Sequence, residues 1–257
     1  MSTLIIGHRG FVGGNLAHHY PQAMGAGRAE MPKLQGQVFS QVFCAAPQAR
    51  KWWANQNPEL DLQEVKQLAN SCRTLSCIDR FFLFSTVDVY DQPANQDEQD
   101  TPSPEAHPYG ANRLYLEKVV LEAFGDKARI IRLPALVGNG LKKNIVFDLL
   151  YSNNVENINA HSVFQWFNLV HLPEIIHKAT NLANCQILNV VSEPLPTSSL
   201  VGRWFPELVD RLNWNCASVS YDLHTIHGPA GSRYLYYKDD VIRKHLGPFI
   251  ESTRARV

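Results

Sequence analysis

The residues best suited to chemistry in this 257-residue chain lie between Thr86 and Arg113. Thr86 ends the apolar run "FFLFST", which reads as a buried strand. In open parallel sheets, ligands bind beyond the carboxyl ends of the strands. Tyr109 opens "YGANRLYLEKVVLEAF", a strong helical pattern that stops near Gly125. Tyr109 and Arg113 form an i,i+4 pair and project from one face of that helix. Asp88, two residues after Thr86, projects from the same strand end if extended backbone continues. A plainer arrangement competes, in which Tyr109 merely starts the helix and Arg113 pairs with Glu117 on its surface. Lys118 lies half a turn out of phase with Tyr109. His107 reads as an exposed loop histidine.

A second cluster stands near the N-terminus. Gly7, Gly10 and Gly13 give G-H-R-G-F-V-G directly after the apolar run "STLIIG". A glycine there permits a tight bend, a second admits a pyrophosphate to the backbone, and a third lets helix and strand pack closely. The helix that follows offers free N–H groups to phosphate. The spacing is GxxGxxG rather than GxGxxG. Arg9 and Arg28 match a ribose 2′-phosphate by bidentate bonding, whereas Glu30 suits a free 2′-hydroxyl. The expected cofactor is NADP, with NAD as the alternative.

These residues need a scaffold, and the chain supplies an alternating one. "STLIIG", "QVFSQVFCAAP", "RFFLFST" and "ARIIRLPALVG" read as strands. "FVGGNLAHHY", "PELDLQEVKQLANSCRTL" and the Tyr109 segment read as helices, the second through Leu60, Leu62, Val65, Leu68 and Ala69. The alternation predicts an α/β fold, a Rossmann-type doubly wound parallel sheet with a small C-terminal substrate lobe. Residues 1–140 form the expected dinucleotide-binding core. Residues 141–257, where "NIVFDLLY" and "LPEIIHKATNLA" look helical and "CQILNVVS" looks like a strand, return to it and form a reduced lobe, the whole packing as one compact unit.

Composition narrows the function classes. Lys plus Arg equals Asp plus Glu, 24 each, so no net field draws the chain to nucleic acid or an anionic membrane. No apolar run reaches the ~20 residues of a membrane span. The N-terminus turns to glycine too early for a signal peptide. Five scattered cysteines without a CxxC pair read as reduced thiols of a cytoplasmic protein. No Cys or His cluster has ligand spacing, so no metal is expected.

Taken in order, G7-H-R-G-F-V-G13, "FCAAP", "FSTVDVY", "HPYGANRLYLEK" and "IIRLPALVGNG" resemble the extended short-chain dehydrogenase/reductase family of nucleotide-sugar epimerases, dehydratases and reductases. The resemblance covers residues 1 to about 140. The glycine turn is most similar to that of the NADPH-using GDP-fucose synthases. The resemblance implies Tyr109 as general acid/base, Thr86 as the hydroxyl on the substrate oxygen, and position 113 as the cation that lowers the tyrosine pKa and holds the nicotinamide ribose. A free tyrosine titrates near ~10 and a neighbouring cation pulls that down. The family carries lysine at position 113; arginine keeps the charge but not the compact ammonium head. By the same resemblance Gly7, Arg9, Gly10, Phe11, Val12, Gly13, Arg28, Ala45, Ala46, Tyr109, Arg113, Pro134 and Leu136 bind the cofactor, and Thr86, Asp88 and Asn144 face the substrate. The dehydratase pattern S-T-D-E-V-Y appears here as Ser85-Thr86-Val87-Asp88-Val89-Tyr90, with one of its two acids, which favours reduction or epimerisation. The implied partner is a sugar or sugar nucleotide. A homodimer is allowed by the stripe Leu114, Val120 and Leu121. The arginine at 113 motivates a second hypothesis, a lapsed enzyme that binds dinucleotide as a sensor or scaffold.

Overall fold

In chain order the elements are β1 (Thr3–Ile6), α1 (Phe11–His19), β2 (Met24–Ala26), β3 (Val38–Cys44), α2 (Lys51–Gln56), α3 (Pro58–Arg73), β4 (Ser76–Thr86), α4 (Pro108–Phe124), β5 (Ala128–Leu133), β6 (Ala135–Val137), α5 (Ile145–Leu150), β7 (Val163–Phe164), β8 (Trp166–Asn168), α6 (Leu172–Thr180), β9 (Ile187–Asn189), β10 (Leu195–Pro196), α7 (Thr197–Trp204), α8 (Lys238–Asp240) and α9 (Gly247–Arg254). They come from a computed structural model that describes residues 2–103, 107–183 and 185–256. The chain divides into two compact units rather than one. Unit 1 takes Met1–Gln92, Glu98–Leu133 and Leu172–Asn189; unit 2 takes Pro93–Asp97, Pro134–His171 and Val190–Val257. The division differs from a single cut near residue 140, because β9 completes the unit 1 sheet beside β5.

Unit 1 holds six parallel strands in the order β2-β1-β3-β4-β5-β9. The strand order reverses between β1 and β3, which opens a crevice at their carboxyl ends. Strands buried on both faces are mostly apolar, and "ARIIRL" of β5 is buried at every residue. Its two arginines are satisfied internally. Arg132 Nη2 lies 2.7 Å from Glu117 Oε2, and Arg132 Nη1 donates to the Tyr90 hydroxyl at 2.7 Å. Ser85 Oγ donates to the same Glu117. The surface pair expected between Arg113 and Glu117 is therefore absent, since Glu117 faces the sheet and binds Arg132.

α3 begins with Pro58 at its first turn and carries Glu59 and Asp61 there, with Arg73 in its last turn, all favourable to the helix dipole. It turns Asp61, Val65, Ala69 and Cys72 inward, while Leu60 is 54% exposed. The helix is rotated relative to the expected stripe, and a carboxylate occupies its buried face. In α4, Leu114 and Val120 are buried within unit 1 and Leu121 packs on its core. That stripe packs inside the unit.

Unit 2 has its own core, in which Trp166, Leu195, Leu200, Val201, Leu246 and Ile250 are buried together. β7 pairs with β10 and β6 with β8 in two-stranded sheets. A π-helical turn, Val241–Leu246, joins α8 to α9 and carries the fully buried His245. Its Nδ1 accepts the Asn168 N–H at 3.0 Å, so the proton of the neutral ring sits on Nε2. Burial, followed by the nearby His171, pushes His245 down to about 3. The unfolded chain binds a proton there near pH ~6.5 and the folded one does not. Stability is therefore full above that value and falls by about 1.4 kcal/mol per pH unit as the pH drops toward 3. His245→Asn should remove this slope. Denaturation midpoints at pH 7 and pH 4 that fall equally in both proteins would contradict it.

Among the described residues no helix is long and apolar enough to cross a membrane. No group of three or more His, Cys, Asp or Glu side chains among them could hold a metal ion.

Candidate active site

The glycine turn closes on itself before it meets any ligand. Gly7 has φ +82°, in the left-handed region, and a Cβ there would lie 2.7 Å from Ala46 Cα. A Cβ on Gly13 would lie 2.1 Å from the Gly7 carbonyl oxygen. Gly10 donates its N–H to Gly7 O at 2.8 Å and caps α1 without a side chain. The first-turn N–H groups of α1, from Phe11, Val12 and Gly13, lack intrahelical acceptors by geometry. They form an anion site where a pyrophosphate is expected.

Beside the turn lies a cleft of about 220 Å³, at the crevice between β1 and β3. Ile6, Gly7, Ala46 and Gln48 form its floor, and Met31, Val65 and Leu68 give it apolar walls. Ala45 is fixed by an N–H bond to Ile6 O at 2.9 Å. Arg28, just past β2, stands among the lining residues with its guanidinium 3.2 Å from Glu64 Oε1. Arg9 is 78% exposed and lies 3.9 Å from Glu30. The Glu30 carboxylate accepts the Gly27 N–H at 2.8 Å and is held below its usual pKa by that bond first. The apolar walls, the rim cation and the free helix N-terminus fit the adenosine and diphosphate of a dinucleotide.

Thr86 is at the C-terminal end of β4, as expected, but extended backbone stops there. Val87–Val89 form a 3-10 turn whose N-cap is Thr86, with Thr86 Oγ1 accepting the Asp88 N–H at 3.1 Å. This turn, not a continued strand, carries the Asp88 carboxylate back toward Thr86, at 3.4 Å from its hydroxyl. α4 begins against the same turn. A Cβ on Gly110 would lie 2.0 Å from the Asp88 carbonyl oxygen, so only glycine lets Tyr109 approach this closely. His107 is half-buried and caps α4, with Nδ1 accepting the Gly110 N–H at 3.1 Å. Burial first, then the Lys51 charge, lowers its pKa. A neutral imidazole cap replaces the exposed loop histidine expected from sequence.

Arg113 departs furthest from expectation. It is 2% exposed, and its guanidinium is ion-paired to the equally buried Asp61 of α3. A second amine donates to the Gln48 carbonyl oxygen, while the guanidinium carbon lies 4.1 Å over the Tyr109 ring. Asn112 Nδ2 donates to the same Asp61 at 2.7 Å. Arg113 thus ties α4 to α3 and stacks on the tyrosine face. It does not bring the phenol down to neutral pH. Burial outweighs the Arg113 charge and pushes Tyr109 up to about 12. Arg113 and Asp61 line the cleft, and Arg113 Nε is buried without a partner.

Sequence reasoning missed two contributors from α2. Lys51 Nζ lies 2.7 Å from Asp88 Oδ1, and Asn55 Oδ1 accepts the Tyr109 N–H at 3.0 Å. Both partners are more than 35 residues away in sequence, and no local spacing reveals them. Pro134, Leu136 and Asn144 fall in unit 2. Asn144 caps α5 by accepting the Phe147 N–H at 3.0 Å, and its Nδ2 donates to Leu136 O at 2.8 Å. Its amide ties the loop after β6 to the start of α5.

The sequence profile of the NAD dependent epimerase/dehydratase family matches residues 34–169, more than half of the chain. No curated protein matches the sequence. Among solved structures, the chain resembles UDP-glucose 4-epimerase of Thermotoga maritima at 13% identity, over 100% of this chain and 99% of that one, with a TM-score of 0.69. It resembles dTDP-4-dehydrorhamnose reductase of Yersinia enterocolitica at 14% identity, over 96% and 99%, with a TM-score of 0.70. RMD of Pseudomonas aeruginosa complexed with NADPH is similar at 16% identity, over 98% and 100%, with a TM-score of 0.69. At these identities the likeness concerns the fold.

Proposed function

Since the chain belongs to the NAD dependent epimerase/dehydratase family, we propose that it is an NADP-dependent reductase of a keto group on a nucleotide-linked sugar. The observation that carries this is the meeting of Thr86 and the Gly110 end of α4 on one residue, Asp88, at the carboxyl end of β4. Gly7, Gly10, Phe11, Val12 and Gly13 would hold the dinucleotide phosphates, and Ala45 and Ala46 would flank them. When bound there, the nicotinamide supplies the hydride chemistry. The residues do the rest. Thr86 orients the substrate oxygen, and Tyr109 gives it a proton as the carbonyl becomes an alcohol. A phenol pushed up to about 12 is almost wholly protonated at neutral pH, so it carries a proton to donate and little phenolate to accept one. Epimerisation through a keto sugar begins by removing a hydroxyl proton, so the site suits reduction better. NADP is favoured over NAD because Arg28 sits at the cleft rim in an exposed pair with Glu64, and such a pair is weak enough to be exchanged for a 2′-phosphate.

One observation favours a second reading, a dinucleotide-binding sensor without turnover: Arg113 is committed to Asp61 and Gln48 instead of facing outward. Nicotinamide fluorescence titrations with NADPH and NADH, followed by the 340 nm band on addition of nucleotide-linked keto sugars, separate the two. The reductase binds NADPH more tightly and consumes it. Binding without consumption across UDP-, GDP- and dTDP-linked keto sugars would favour the sensor. Binding of neither cofactor would remove both.

A further inference from the structure

We propose that Lys51, held by Asp88, is a second positioning cation of Tyr109, adding to the Arg113 charge that lies over the ring face. The proposal rests on the reading of Tyr109 as the proton donor. Three observations support it. Arg113 is turned inward: its two amines meet Asp61 and Gln48, and its charge lies over the ring face rather than beyond the hydroxyl. Lys51 comes from a helix pinned to the start of α4, since Asn55, one turn on and on the same face, accepts the Tyr109 N–H. Lys51 also bonds Asp88, whose backbone is pressed against Gly110 and whose carboxylate faces Thr86. Asp88 thus holds the ammonium at the Thr86 turn, and Asn55 ties its helix to the start of α4.

Its exposure differs from that of the structural pairs. Arg113–Asp61 and Arg132–Glu117 are 3% exposed or less on every side chain, whereas the Lys51 side chain is 40% exposed and that of Asp88 17%. Buried pairs of that kind are locked, because parting them strands two charges away from water. A partly exposed pair is not locked in this way, and its ammonium can bring its charge to bear on the developing phenolate. The charged groups around Tyr109 are Arg113 on its own helix, Asp61 of α3, Lys51 of α2 and Asp88 after β4, with His107 stacked beside it. Of the two cations in this set, Lys51 is the one not bound to a buried carboxylate.

The test is a pH titration of the full chain labelled with [13Cζ]tyrosine, the Tyr109 signal being assigned by its loss in Tyr109→Phe. Supplying the label as [13Cζ]3,5-difluorotyrosine lowers the phenol pKa through the ring and brings the midpoint into reach with the Lys51–Asp88 pair intact. Lys51→Met should raise the Tyr109 midpoint by about one pH unit, and Lys51→Arg should leave it in place. Circular dichroism checks that each variant is folded. Equal midpoints with and without Lys51→Met would overturn the proposal, as would a rise that Lys51→Arg fails to prevent. Failure of the reductase reading is recorded separately, as NADPH binding without consumption, and does not alter these midpoints.

Discussion

Asp61→Ala is expected to destabilise the protein by about 3–5 kcal/mol, among the largest effects of any single substitution outside the apolar core. The carboxylate is 2% exposed and takes Arg113 and Asn112 together. Removing it leaves a guanidinium that cannot lose its charge, buried and facing only a carbonyl oxygen and a ring. The cost comes from that stranded charge more than from the lost attraction. Hence Asp61→Leu combined with Arg113→Met should be markedly less destabilised than Asp61→Ala alone, although it deletes more polar contacts. Arg113→Lys should sit between them, because an ammonium reaches Asp61 or Gln48 but not both. Urea midpoints at constant m-value measure the series. A loss under about 1 kcal/mol for Asp61→Ala would mean that Arg113 finds another partner, and would reopen its expected role at the ribose.

The Arg113–Asp61 tie also marks where sequence stops being informative. Local patterns are legible because their causes are local. The apolar run at Thr3–Ile6 ending in Gly7, the period of α3 and the stop of α4 at Gly125, with φ +50°, are each written in a few adjacent residues. Thr86, Tyr109 and the glycines could be placed on their elements for the same reason. β2 escaped because three residues, one of them glycine, carry no periodicity. α2 escaped because "KWWANQ" is too short to show a period before Asn57 and Pro58. The rotation of α3 was misjudged because Leu60 and Asp61 are adjacent, and hydrophobicity favours turning the leucine inward. Only the partner Arg113, 52 positions later, reverses that choice. Arg113 itself had a nearer candidate in Glu117, but Arg132 from the neighbouring strand takes it. Partnerships between helices decide which face a charged residue shows, and these are set by the tertiary fold. That is why the fold and the elements that carry the candidate residues were readable while the pairing of those residues was not.

The electrostatics of the site make a second large prediction. Tyr109→Phe should lower turnover by about 10²–10⁴-fold while NADPH affinity stays unchanged. The substitution removes one oxygen and keeps the ring under the Arg113 guanidinium, so the α3–α4 tie survives. Tyr109 is not part of the cleft lining, so the binding surface survives as well. The pH dependence then tests the proton's direction. With the phenol pushed up to about 12, its protonated form is essentially complete at neutral pH, so the reduction rate should be flat from pH 6 to pH 9. Oxidation of the alcohol needs the phenolate, whose fraction grows about tenfold per pH unit below the pKa, and its rate should climb accordingly. Tyr109→Phe should abolish that climb along with the rate. If the variant reduces its substrate at the wild-type rate, or if oxidation by the wild type is level between pH 7 and pH 9, then Tyr109 is not the proton carrier. The tyrosine would then be a helix-start residue whose ring merely seats Arg113, and the proton would have to come from another group at the Thr86–Asp88 turn.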